Sequence, residues 1–257
     1  MNPQAGELAY AEGHLPGAAF LHLDQDLSAP KSGSNGRHPL PDPKSFADRL
    51  ASMGAKDSTL IIGYDASAGV YASRLWWMCR WIGHLKCGVL DGGLQAWQAA
   101  DGPLSIEPFK AKSSGRMSVR PSLAPLWTLA HVEAWLQSGC DPEIGVLIDA
   151  RAKERFRGET EPLDPVAGHI PGAVNRVFAD NLDNKGCFKP ASQLREEFLA
   201  ILGDRDPLSV VHTCGSGVTA CHNLLAMEIA ALGGSALYAG SWSEWCSNRS
   251  RPVATGE

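Results

Sequence analysis

The sequence predicts an α/β protein made of two tandem copies of one module, each a mainly parallel sheet flanked by helices. Three observations carry this expectation. Short apolar runs alternate with helical patterns, as βαβ units require. Three sequence blocks recur in the same order in the two halves. A polar, cationic, Pro- and Ser-containing stretch lies between them.

The recurring blocks come first along the chain. Gly13-His-Leu-Pro-Gly-Ala18 returns as Gly168-His-Ile-Pro-Gly-Ala173. Leu60-Ile-Ile-Gly-Tyr-Asp65 aligns with Ser209-Val-Val-His-Thr-Cys214, and Leu90-Asp-Gly-Gly-Leu-Gln-Ala-Trp97 with Tyr238-Ala-Gly-Ser-Trp-Ser-Glu-Trp245. Chance supplies one such block, but hardly three in order. The expected units are an N-terminal copy over 1–107, a linker over 108–125 and a C-terminal copy over 126–257, each copy the size of one compact domain. In the second copy, Val146-Leu-Ile-Asp149 and Leu208–Thr213 read as buried strands. Ala191–Ile201 and Val218–Leu232 read as helices. The Gly-His-Ile-Pro-Gly-Ala block reads as a turn feeding a short strand. The first copy has only residues 1–12 ahead of its own block, with no apolar run to match Val146–Asp149. The expectation is a natural start further upstream, with a missing strand.

Composition narrows the function classes. Of 257 residues, 44% are hydrophobic and 20% charged, enough to bury a core. With 23 Lys+Arg against 28 Asp+Glu, the net charge of -5 offers no cationic face for nucleic acid. No stretch approaches the length of a membrane-spanning helix, and the start does not read as a signal peptide. Seven cysteines, an odd number with no C-x-x-C pair, argue against a disulfide framework or zinc site. They fit a reducing, cytoplasmic setting.

One cysteine stands apart. Cys214-Gly215-Ser216-Gly217-Val218-Thr219 follows a strand and opens a helix. There, successive backbone N–H groups and the helix dipole place positive potential around the sulfur. Thiolate is the nucleophilic form of cysteine. Gly215 and Gly217 let the loop curl and leave room for a bound sulfur. The aligned residue of the first copy is Asp65, which cannot accept sulfur, so only the second copy is expected to be catalytic. A buried core cysteine would leave the surrounding glycines unexplained.

Taken together, Tyr10-Ala-Glu-Gly-His-Leu-Pro-Gly-Ala-Ala-Phe-Leu21, Cys214–Thr219 and Tyr238–Trp245 resemble the tandem-domain rhodanese and 3-mercaptopyruvate sulfurtransferase family over nearly the whole chain. The resemblance implies two rhodanese-like domains and sulfur transfer through a Cys214 persulfide, with no cofactor. The donor it implies is 3-mercaptopyruvate, because the loop after Cys214 carries no Lys or Arg of the kind that thiosulfate-using members present to a dianion. The acceptor would be a thiol such as thioredoxin, or cyanide. It implies a substrate-carboxylate role for Arg155. It also implies a proton-handling triad of Ser216, His38 and Asp24, although a histidine beside Pro39 equally suits a turn. The remaining loop residues, Gly215, Gly217, Val218 and Thr219, would cradle the substrate.

The family usually has a second arginine shortly before Gly168-His-Ile-Pro-Gly. Here Glu159-Thr-Glu-Pro-Leu-Asp-Pro-Val-Ala167 has none. Arg157 could substitute, sharing a face with Arg155 only if that segment is a strand. Three other readings compete. Thiosulfate:cyanide sulfurtransferase differs only in donor. A Cys-x5-Arg phosphatase needs an arginine where Ala220 stands. A non-enzymatic sulfur carrier or binding module has less use for Ser216 and Arg155.

Overall fold

A computed structural model describes residues 4–257. The described chain divides into two compact units. One comprises residues up to Pro30 together with Leu40–Leu123. The other comprises Lys31–Pro39 together with Ala124–Glu257.

In the first unit, helix α1 (Ala5–Glu12) precedes the Gly13 block; Met1 to Pro3 lie outside the described residues. Helix α2 (Pro43–Ser52) is capped by Asp42, whose carboxylate accepts from Ser45 N–H, and it buries Phe46, Ala47 and Leu50. Strands β1 (Ile61–Gly63) and β2 (Cys87–Val89) pair in parallel across helix α3 (Val70–Trp81), and helix α4 (Gly93–Ala99) follows. The Pro- and Ser-containing stretch expected as a linker is ordered against this unit. Asp57 accepts from the N–H and hydroxyl of Ser118 and pairs with Arg120.

The second unit carries a five-stranded sheet in the order β3-β7-β6-β4-β5, parallel throughout. Its strands are β3 (Leu126–Trp127), β4 (Val146–Asp149), β5 (Val174–Asn175), β6 (Val210–Thr213) and β7 (Ala236–Tyr238). Its helices are α5 (Leu129–Gln137), α6 (Lys153–Phe156), α7 (Ala191–Leu202), α8 (Thr219–Ile229) and α9 (Ser241–Trp245). Every residue of β4 and β6 is buried, as expected for interior strands covered on both faces. Alternation divides them between two cores. Leu147 and Val211 join Val132 and Trp135 of α5, with Tyr238, Trp242 and Trp245. Val146, Ile148 and Val210 face Leu194, Phe198 and Leu202 of α7, with Ala226 and Met227 of α8.

This frame fixes where chemistry can occur. β6 is a central strand, and α8 behind it is buried from Ala220 to Met227. The connection between them opens at the carboxyl end of the sheet, where open parallel α/β sheets hold their ligands. The histidines of the two recurring blocks serve the fold. His14 bonds the carbonyls of Tyr10 and Glu107, and His169 stacks on Phe156 while bonding its carbonyl.

Candidate active site

Cys214 directly follows β6 and is almost fully buried. Its Sγ accepts the N–H of Gly217 at 3.2 Å. Gly217 has φ +74°, and a Cβ there would stand 2.4 Å from the carbonyl oxygen of Ala239, so only glycine closes this turn over the sulfur. Val218 caps α8 and Thr219 begins it; the N–H of Cys221 and its thiol both reach back, to Val218 and Gly217.

The turn after β7 completes the cradle. Trp242 N–H donates to the carbonyl of Cys214, and Ser243 N–H to that of Gly215. The Ser241 hydroxyl accepts Cys214 N–H at 3.1 Å, donates to the Tyr238 carbonyl, and lies 4.0 Å from the sulfur. Ser241 adopts φ +55°, a conformation that strains a residue with a side chain and persists only where its surroundings impose it.

Two residues from the segment 31–39 enter the same unit's site. His38 Nδ1 and Ser216 Oγ share a 2.7 Å hydrogen bond. Arg37 donates its backbone N–H to the Ser243 hydroxyl at 2.9 Å, and its Nη1 pairs with Asp164. Asp24 lies in the first unit, in a half-buried turn where its backbone N–H donates to His22 Nδ1.

Arg155 rides on α6. Its Nε and Nη2 grip Glu161, with the closest approach 2.8 Å, and Nη2 stands 3.4 Å from Asp164. Burial pushes the Glu161 carboxyl up, but Arg155 and the N–H groups of Leu163 and Asp164 outweigh it and hold the carboxyl below its ordinary value. For Asp164 burial wins over the pairing with Arg37, and its carboxyl lies above the ordinary value. Behind them Arg151 is buried, doubly bonded to Asp149 and stacked 4.9 Å over Trp242. Burial lowers its pKa, but the Asp149 charge prevails and raises it.

The guanidinium nitrogens of Arg155 come within 3.4 Å of the point where a side chain on Gly215 would begin. The other arginine of that segment goes elsewhere. Residues 153–156 are helical, so Arg155 and Arg157 leave on different sides, and Arg157 pairs with the carboxylate of Glu257 at 2.5 Å. Sequence reasoning passed over Arg37 and Ser241, both brought in by backbone segments remote from the Cys214 loop. The faint signals were a cation adjoining His38 and a hydroxyl where the first copy has Gly93.

The first unit keeps the loop and fills it differently. The Asp65 carboxylate accepts the N–H groups of Ser67, Gly69, Tyr71 and Ala72 at 2.7–2.9 Å. Leu94 N–H donates to the Asp65 carbonyl as Trp242 N–H does to that of Cys214, and Gly93 has φ +56° where Ser241 has +55°.

The same duplicated arrangement is recognised in the sequence as a known domain: the model of the rhodanese-like domain matches residues 4–100 and again 129–248. The chain belongs to the rhodanese family. This rhodanese is 46% identical to the "Probable 3-mercaptopyruvate sulfurtransferase" of Pseudomonas aeruginosa, over 100% of its own length and 89% of the relative's. It is 34% identical to the thiosulfate sulfurtransferase of Mus musculus, over 92% and 78% of the two chains. Among solved structures, 3-mercaptopyruvate sulfurtransferase from Leishmania major superposes with a TM-score of 0.80 at 29% identity, covering 97% of this rhodanese and 68% of that chain. Among the described residues, no helix is long and apolar enough to cross a membrane.

Proposed function

We propose that this rhodanese is a 3-mercaptopyruvate sulfurtransferase working through a Cys214 persulfide. The observation that carries the reading is the environment of Cys214: a buried sulfur under the Gly217 N–H, flanked by the His38–Ser216 pair and by the Arg155 guanidinium over Gly215. The Cys214 thiolate attacks the donor sulfur, and the S–C bond breaks with its electron pair passing to carbon as the pyruvate enolate. Ser216 and His38 relay a proton to that carbon, so pyruvate leaves. Loop N–H groups hold the persulfide, and an acceptor thiolate or cyanide takes the outer sulfur, returning the Cys214 thiolate. Thioredoxin is the kind of thiol acceptor this chemistry suits. All seven cysteines are free, which supports a reducing, cytoplasmic setting.

Thiosulfate is the second donor to consider, because the relatives include a thiosulfate sulfurtransferase. With it, sulfite leaves and no carbon needs a proton, so His38 and Ser216 would have no task. That pair favours mercaptopyruvate. The side-by-side rates of pyruvate release and sulfite release decide between donors. Mass spectrometry after donor treatment should find one added sulfur on Cys214, and Cys214→Ser should be inactive because serine cannot form a persulfide. Sulfur found on Cys221 or Cys79 instead, or an active Cys214→Ser, would overturn the assignment. A single stoichiometric transfer without turnover would make the protein a sulfur carrier.

A further inference from the structure

The segment 159–167 has no arginine to set beside Arg155, and what it supplies instead is acidic. Glu161 holds Arg155, while the almost fully buried Asp164 carboxylate holds the guanidinium of Arg37 and touches that of Arg155. Arg37 therefore has two anchors. Its backbone is tied to Ser243 in the turn after β7, and its Nη1 to Asp164. The next residue, His38, is tied to Ser216 in the Cys214 loop. A side chain held at both ends is set down in one place, and that place is the site.

Its free donors point the same way. Arg37 Nη2 lies 2.8 Å from the position a Cβ on Gly215 would take, and Arg155 Nη1 and Nη2 lie 3.4 Å from the same point. Two guanidiniums thus converge on one point beside Gly215, the residue that follows Cys214. Arg37 Nε is buried without a hydrogen-bond partner among the described residues. Nη2 makes no hydrogen bond to any of them. The Arg37 side chain is 23% exposed, so a small molecule can still reach it. Two guanidiniums converging on one point fit a carboxylate, whose oxygens accept paired N–H donors.

We infer that Arg37 is a donor-binding residue that clamps the carboxylate of mercaptopyruvate together with Arg155, in place of an arginine from segment 159–167. This rests on the mercaptopyruvate reading above and names the group that reads the donor's charge. Asp164 is then a positioning residue: it aims Arg37 and leaves Nη2 for the substrate.

The test compares mercaptopyruvate with mercaptoacetone, which has the same thiol, methylene and ketone but a methyl group where the carboxylate stands. Arg37→Ala should lower kcat/KM for mercaptopyruvate ~10- to 100-fold, the scale of hydrogen bonds to a charged group, chiefly through KM. It should leave mercaptoacetone turnover within about twofold of wild type, which also shows that the variant is folded. Arg37→Ala also leaves Asp164 with only the 3.4 Å contact to Arg155, and a carboxylate so weakly neutralised would repel the donor by itself. The double variant Arg37→Ala/Asp164→Asn removes that repulsion and should remain impaired with mercaptopyruvate. Equal losses with both donors would overturn the inference, as would full recovery in the double variant or no loss in Arg37→Ala. In each of those outcomes wild-type turnover of mercaptopyruvate leaves the sulfurtransferase reading standing; a wild-type protein that releases no pyruvate overturns both.

Discussion

The imidazole Nδ1 of His38 and the hydroxyl of Ser216 meet at 2.7 Å, although 178 positions separate them in the chain. The contact is what supports the proton-relay role proposed for the pair. Only donors that leave as a carbanion equivalent need the relay. His38→Asn should lower mercaptopyruvate turnover by about 10²-fold, the usual scale of general acid–base assistance. Thiosulfate turnover should change far less. Ser216→Ala should resemble it, and the double variant should be little worse than either single one, because both act in one chain of proton transfer. Pyruvate and sulfite assays on the three variants decide this. Matching losses with both donors would make the pair a structural tie between residues 31–39 and the loop.

Arg155 presents a different balance. Its guanidinium is shared between Glu161, Asp164 and the space over Gly215. Arg155→Ala should weaken transition-state binding of mercaptopyruvate by about 1.5–3 kcal/mol, and that of thiosulfate by less. Arg151, 3.5 Å from Glu161, remains to neutralise the carboxylate left behind, so the fold should survive. A thermal melt alongside kcat/KM for the two donors checks both statements. A fall in melting temperature with equal kinetic losses would place Arg155 in the fold and not in substrate binding.

Local pattern accounts for what the sequence made legible. Val146–Asp149 is visible as a short apolar run, buried at every position, and Ala191–Leu202 because its buried residues recur at the period of a helix. The Cys214 loop is visible because glycine spacing and a following helix belong to one short stretch. Arg37 and Ser241 escaped because nothing near them in sequence marks them; the fold brings them to Cys214 from residues 31–39 and from the turn after β7. Whether Arg157 joins Arg155 on one face turns on whether residues 153–157 run as strand or helix. A four-residue helix is too short to announce its period. The sequence marks Asp65 only as a residue that cannot accept sulfur; that the N–H groups of its loop converge on its carboxylate is visible only in the fold.

A buried histidine sets an acid limit on the second unit. His212 lies on β6 beneath the loop, fully buried, with Nε2 3.0 Å from Met227 Sδ. Burial holds its pKa down to about 3, against an ordinary value of 6.5. Between those values the unfolded chain binds a proton that the folded chain does not. Stability is therefore complete above about pH 6.5 and falls as pH drops toward 3. At pH 5 the loss is about 2 kcal/mol. His212→Phe should flatten the dependence of melting temperature on pH between 5 and 6.5. Parallel slopes for wild type and variant would show that other groups set the acid limit.

Asp65 shows what the first unit's loop was built to hold. Four backbone N–H groups at the start of α3 point at one carboxylate, two to each oxygen. Asp65→Ala would leave these donors to water and should cost about 2 kcal/mol, the upper end for a lost helix cap. The melting transition of the whole chain reports it. Converging N–H groups do not by themselves make a sulfur-transfer centre. In the second unit the hydroxyl of Ser241 approaches the sulfur, and Arg155 stands over the residue after it. The first unit has Gly93 at the place of Ser241, with no side chain to offer. The double variant Cys214→Ser/Asp65→Cys should therefore hold a thiol that alkylates readily, since the loop favours an anion there, yet show no turnover with mercaptopyruvate. Measurable pyruvate release from that variant would mean that the N–H cradle alone suffices, and that Ser241 and Arg155 are dispensable to the chemistry.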